Sequence, residues 1–209
     1  MTAAFAALYI ILVQVHYDLT YNRAIPDSER VYLMTLPSYG EDKLQAFLTR
    51  PHAEKLLTNN PYVEMYGVAR LDDVNKINVV VGEGTAAKTH SVTFAQMTSG
   101  ALKTFGIQPI MGSLEDMGEG GYVAISETAA ERLGVAVDSV LQLESWGRTN
   151  YFVVRAIYKD LPVASDLKNI EVIRCNQLET QDLTTTSNWS YNYYVKLRST
   201  DDKALCEEV

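Results

Sequence analysis

The stretch GYVAISETAAERLG, residues 121–134, carries the clearest local signal in the chain, a strand that turns directly into a helix. Tyr122 to Ile125 is a short apolar run of the kind that fills a buried strand. Ser126 stands where a helix needs an N-cap, its hydroxyl placed to accept from the amides of the first turn. Gly134 follows the last helical residue, where a left-handed backbone stops a helix. The spacing predicts strand, then capped helix, then stop. Ser126 is also the nearest serine to a nucleophile elbow, but its neighbours read Ala-Ile-Ser-Glu-Thr and lack the glycines that motif requires. Capping accounts for it fully.

Strands continue on both sides of this block. Towards the C-terminus, residues 139–162 alternate at Leu141 and Leu143, turn at Trp146-Gly147-Arg148, and run β-branched from Phe152 to Ile157 until Pro162 closes them. This is a hairpin. Towards the N-terminus, YVEMYGVARL (62–71) and KINVVVGE (76–83) read as two strands, and Gly82-Glu83-Gly84 turns the second into KTHSVTFAQM (88–97). RVYLMTLP (30–37) reads as one strand stopped by Pro37 and Gly40. In residues 41–60, Leu44, Phe47, Leu48, Leu56 and Leu57 at helical spacings predict two short helices divided by Pro51. NWSYNYYVKLR (188–198) places Trp189, Tyr191, Tyr193, Val195 and Leu197 on one face of a strand, and STDDKALCEEV (199–209) opens as a capped helix.

Composition narrows the function classes. The 209 residues are 47% hydrophobic and 21% charged, an ordinary globular balance, and 13 tyrosines favour strands. A net charge of -8 argues against a phosphate-binding surface, so nucleic acid is excluded as a partner. Cys175 and Cys206 are too few for a disulfide framework and too far apart for a CxxC motif.

The residues hold no catalytic constellation. His16, His52 and His90 fall in three different elements, and none has a second His or Cys at zinc-ligand spacing. The acid pairs Asp72-Asp73, Glu115-Asp116, Asp201-Asp202 and Glu207-Glu208 sit in loop-like or terminal settings and read as solvated surface. GEGTAAK (82–88) lacks the Gly-Lys-Ser/Thr ending of a phosphate loop and leads into a strand. No metal and no cofactor is expected. Trp189 and Tyr191 are the one candidate binding pair, since an aromatic strand face can stack on a sugar or peptide. A sheet's core face explains the same pattern.

AAFAALYIILVQVHYD, residues 3–18, is apolar without a break from Ala3 to Val13, whereas a span takes about 20 residues. It has neither the basic flank nor the cleavage site of a signal peptide. It is a core helix or the outer part of a membrane helix, and periodicity does not separate the two, because the run is apolar on every side. In water it is expected to fold back on its own domain or pack against another copy, burying Leu8, Ile11 and Leu12.

The order of segments adds a resemblance. AFAALYIILVQVHYDLTYNRAIPDSERVYLM (4–34) resembles the opening of MacB/FtsX-like ABC transporter permeases, matching at Tyr17-Asp18, Tyr21, Asn22-Arg23, Asp27 and Arg30-Val31-Tyr32. ALKTFGIQPIMGS (101–113), residues 121–143, and FVVRAIYKDLPVASDL (152–167), with Asp160, Leu161, Pro162 and Ser165 in register, are similar to later family segments in the family's order. Leu133 before Gly134 and Val137-Asp138-Ser139 depart from the family pattern. The resemblance implies an α+β periplasmic domain, MacB-like, preceded by the C-terminal part of the first transmembrane helix (1–18). A porter-like α/β subdomain would be formed by 19–72 and 166–209, with an inserted mainly-β subdomain over 73–165. It implies a non-catalytic role coupling cytoplasmic ATP hydrolysis to export or release across the bacterial inner membrane. The partners implied are a separate cytoplasmic ATPase, a second permease copy or homologue, a periplasmic adaptor, and the membrane through the N-terminal helix. The alternative is a periplasmic or secreted ligand-binding module using the aromatic strand face.

Overall fold

The structure, a computed structural model, describes residues 2–38, 43–82, 87–145 and 148–207. Helix α1 (Thr2–Thr20) leads through a 3-10 turn (Ser28–Arg30) to β1 (Val31–Leu33). A small ribbon of β2 (Leu36–Pro37) and β3 (Leu44–Gln45) precedes α2 (Arg50–Leu57). β4 (Val63–Val81) and β5 (Lys88–Met97) come next, followed by α3 (Ser99–Thr104) and β6 (Pro109–Gly112). Then follow β7 (Tyr122–Ser126), α4 (Glu127–Leu133), β8 (Val140–Ser145) and β9 (Arg148–Tyr158). β10 (Val172–Arg174), α5 (Asn176–Thr180), β11 (Tyr193–Leu197) and α6 (Asp202–Glu207) complete an α+β chain.

Six strands close on themselves. The order β4-β5-β10-β7-β9-β8 returns to β4, because Asn78–Val80 of β4 pair antiparallel with Gln142–Glu144 of β8. Two of the five remaining pairings, β5 with β10 and β7 with β9, are parallel, so the barrel is mixed. Alternation along each strand sends Val79, Val92, Ile125, Leu141, Val154 and Val172 to one shared interior, and Ala129, Ala130 and Leu133 of α4 join that cluster. Ser126 caps α4 by accepting from the Ala129 amide, and Gly134 ends it at φ 68°, as the residues predict.

The first half of β4 extends beyond the ring to pair with β11, which pairs with β1 at the sheet edge. A second cluster packs α3 against the sheet through Leu102, Phe105, Met97, Tyr158 and Ile173. A third packs α2 against β11 through Ala53, Leu57, Tyr193 and Val195, with Leu48 and Leu178. α3 approaches β4 so closely that a Cβ on Gly67 would lie 2.0 Å from the Ala101 nitrogen.

Several expectations are corrected. The strands read at 62–71 and 76–83 are one 19-residue strand. Asp72-Asp73, read as loop-like, lie inside it, where the pairing with β5 shifts between Arg70 and Asn75. Extra residues are absorbed by a bulge rather than a turn. Pro51 stands in the first turn of a single helix instead of dividing two, because a missing N–H costs nothing there, and Leu44 is extended in β3. Residues 30–37 are two short strands. Of the two arrangements expected for α1, folding back is not seen, since Ile11 and Leu12 are each 58% exposed; the side chain of Leu8 lies outside those described. No helix among the described residues is long and apolar enough to cross a membrane. Gly40, the turns at Glu83-Gly84 and Trp146-Gly147, most of GEGTAAK, and Glu208 lie outside the described residues.

Gly67→Ala is expected to cost more than about 2 kcal/mol, because the clash is with helix backbone and no rotamer relieves it. Gly134→Ala, which meets no atoms but keeps the left-handed φ, is expected to cost about 1 kcal/mol. Urea denaturation of the two variants checks the order.

Candidate functional site

Helix α1 ends in a joint. The Thr20 hydroxyl donates back to the His16 carbonyl at 2.8 Å, and the Tyr17 and Tyr21 rings lie 5.7 Å apart. Asn22 then takes φ 61°, which turns the chain out of the helix. Its amide donates to the Ala164 carbonyl at 2.8 Å and its Nδ2 to Asp166 Oδ2 at 2.9 Å. The Asp166 amide donates back to Asn22 Oδ1 at 3.0 Å, and the Tyr21 hydroxyl donates to Asp166 Oδ1 at 3.0 Å. Four hydrogen bonds thus hold the helix exit to one loop. The blocks that carry Tyr21-Asn22 and Ser165 are 144 residues apart and meet here.

The receiving loop, between β9 and β10, is itself pinned. Ser165 is fully buried, its hydroxyl donating to the Pro162 carbonyl at 2.6 Å and accepting from the Leu167 amide at 3.2 Å. Leu167 enters the α3 cluster together with Ile25. Asp160 accepts from the Thr128 hydroxyl and from its amide at 3.2 Å, tying the loop to the first turn of α4. A second branch grips the sheet. Asp27 accepts from Lys196 Nζ of β11 at 2.6 Å and from Arg30 at 2.9 Å, and Arg30 reaches Glu64 of β4 at 2.6 Å and the Leu197 carbonyl at 3.0 Å. The segment that leaves α1 thus contacts both the barrel loop and the β11–β4 pair.

These contacts leave electrostatic marks. Partial burial, then the hydrogen bond to Asp166, pushes the Tyr21 phenol up to about 12. The bond from Lys196 holds Asp27 below its ordinary value. At Asp160 burial works upward, and the bonds from Thr128 outweigh it to leave the carboxyl lowered.

The candidate pair Trp189 and Tyr191 is placed apart in exposure. Tyr191 is wholly buried, its hydroxyl donating to Asp182 Oδ2 at 2.6 Å, with the Arg70 guanidinium 5.1 Å from its ring centre. Trp189 precedes β11, is 46% exposed, and meets the His52 ring edge-on at 6.2 Å. Tyr193 is buried and donates to Glu54 Oε1 at 3.0 Å. Tyr191, Tyr193, Val195 and Leu197 are buried as read, but the strand is not half-buried: Asn192 and Lys196 are buried and Tyr194 packs on the α3 cluster, because β11 is covered on both faces. His16 and His90 lie on α1 and β5, far apart in the fold order. Among the described residues no group of three His, Cys, Asp or Glu is arranged to hold a metal. Cys175 is buried and Cys206 half-buried, and neither is in a disulfide.

No family model matches the chain, and no curated protein matches it. Solved structures do. A permease domain from Porphyromonas gingivalis superposes with a TM-score of 0.66 at 17% identity, over 86% of this chain and 82% of its own. The periplasmic region of MacB from Actinobacillus actinomycetemcomitans gives 0.57 at 11% identity, over 85% and 78%. The chain has the fold of MacB-like periplasmic domains. The extracellular domain of the ABC-type transporter YknZ from Gram-positive bacteria gives 0.55 at 17% identity, over 83% and 86%. The likeness is one of fold, and all three are parts of transporters.

Asp166→Ala is expected to speed hydrogen exchange at the Asn22 amide more than tenfold while lowering global stability by less than about 1.5 kcal/mol, since its bonds are exposed. Because the folded state holds Tyr21 protonated, its contribution is present below about pH 10, the ordinary tyrosine value, and is lost as pH rises towards about 12. An ultraviolet titration should show the highest-titrating phenols reduced by one in Tyr21→Phe.

Proposed function

We propose that this chain is the non-catalytic extracytoplasmic domain of an ABC-type permease, coupling ATP hydrolysis on the cytoplasmic side to substrate export or release. The observation that carries the reading is the joint: an apolar helix, exposed over most of its described side chains from Tyr9 to Leu19, is tied at its exit to the barrel loop and to β11. Such a helix in water leaves Tyr9, Ile10, Ile11 and Leu12 more than half exposed, a state that a membrane environment relieves. α1 is then the C-terminal part of the first transmembrane helix, entering the periplasm near His16 to Asp18. Residues 19–72 and 166–209 form the porter-like part, and 73–165 the inserted β-rich part. The division is supported by the bulge in β4 between Arg70 and Asn75 and by the cluster around Tyr193, drawn from the two outer segments alone, while β10 of the second outer segment completes the barrel.

In this reading the domain faces the periplasm from the bacterial inner membrane, works with a cytoplasmic ATPase and a second permease copy, and contacts a periplasmic adaptor. Coupling of this kind needs two stable arrangements and a stiff connection rather than a nucleophile. The joint supplies the connection.

Two measurements test it. The full gene should encode about three further membrane spans downstream, and their absence sinks the reading. In a Cys206→Ser background made in cells with the whole protein, a membrane-impermeant maleimide should label a cysteine at Arg23 and spare one at Leu12. Equal labelling at both positions removes α1 from the membrane.

A further inference from the structure

The sheet edge beyond β1 opens into a groove of about 520 Å³ between β1, the β2–β3 ribbon, α2 and α6. Its floor is dry: Leu57, Val195 and Leu197 are each at most 5% exposed. Its rim is apolar and wet, with Leu33 at 41%, Leu44 at 71% and Leu56 at 38% exposure. At about 25 cal/mol per Å² of apolar surface removed from water, an aliphatic chain lying between these leucines gains on both sides of the contact. The volume falls in the range of small-molecule sites, about 300 to 1,000 Å³.

The polar content of the groove is narrow. Lys203, on α6, is the one charged side chain of the lining among the described residues, and its ammonium lies 5.4 Å from the centre of the Tyr32 ring. Among the described residues it makes no ion pair, although the chain carries 26 acids against 18 Lys and Arg. A cation held over an aromatic ring at the mouth of an apolar slot complements an anionic head attached to an aliphatic tail.

We infer that this groove binds a small anionic amphiphile of the fatty-acid type, tail between Leu33 and Leu56, head towards Lys203. The site is complete within this chain and stands whether or not the transport reading does. Cys206 provides the readout, because it lines the groove while the second thiol, Cys175, is buried.

The test uses the 209-residue chain and sodium laurate below its micellar concentration. Laurate is expected to slow maleimide labelling of Cys206 at least fivefold and saturably. Leu56→Glu, a rim substitution that spares the floor, should abolish the protection, and Lys203→Gln should weaken it about tenfold. Dodecyltrimethylammonium, with the same tail and a cationic head, should protect far more weakly. Absence of protection by laurate, equal protection in Leu56→Glu, or equal protection by the cationic amphiphile overturns the inference. Laurate taken up by α1 instead leaves the Cys206 rate unchanged and counts against it.

Discussion

The pairing of β4 with β8 is the contact on which the architecture turns. β4 serves three partners along its length: β11 near its start, β5 for most of its run, and β8 near its end. The last of these closes the ring, giving every interior valine and leucine neighbours on both sides. The first carries the outer strands and α2. A single 19-residue strand therefore belongs both to the ring and to the outer strands. The bulge near Arg70 to Asn75 is where the strand changes role.

Against that frame the segment from Tyr21 to Arg30 acts as a bracket. It touches the ring through the Asp166 loop and the outer sheet through Lys196 and Glu64, so it spans the same two parts that β4 joins from within. Asn22 supplies a reciprocal side-chain and backbone pairing, which resists rotation better than a lone bond. Asp27 accepts from both Lys196 and Arg30, and the bond from Lys196 holds its carboxyl below the ordinary value.

What could be read from the residues follows the range of the interactions. The block at 121–134 was legible because capping by Ser126 and the left-handed stop at Gly134 are settled within a few residues. The β8–β9 hairpin was legible for the same reason, its pattern being local. β4 was misread because Asp72-Asp73 look like a turn, whereas the strand continues through them and pairs with β5 on either side, up to Arg70 and again from Asn75. Residues 44–48 carry helical spacing, but Pro51 favours a helix that begins there, and Leu48 is taken up by a bridge to Tyr191. At the joint, Tyr21, Asn22 and Ser165 stood in blocks that resembled a known family, yet nothing local says that Asn22 meets Asp166 across 144 residues. Trp189 and Tyr191 lie two apart, and the strand that would have aligned them starts only at Tyr193.

The edge pair β1–β11 joins residues 31–33 to 194–196. During synthesis the amino-terminal segment thus emerges long before the strand that receives it, and Asn22 likewise waits for Asp166. Between those moments the barrel strands, β4 to β10, can close among themselves, since every pairing of the ring lies within residues 63–174. The natural order of assembly is then barrel first and bracket last, with helix α1 free to find its own surroundings before the body locks onto its exit.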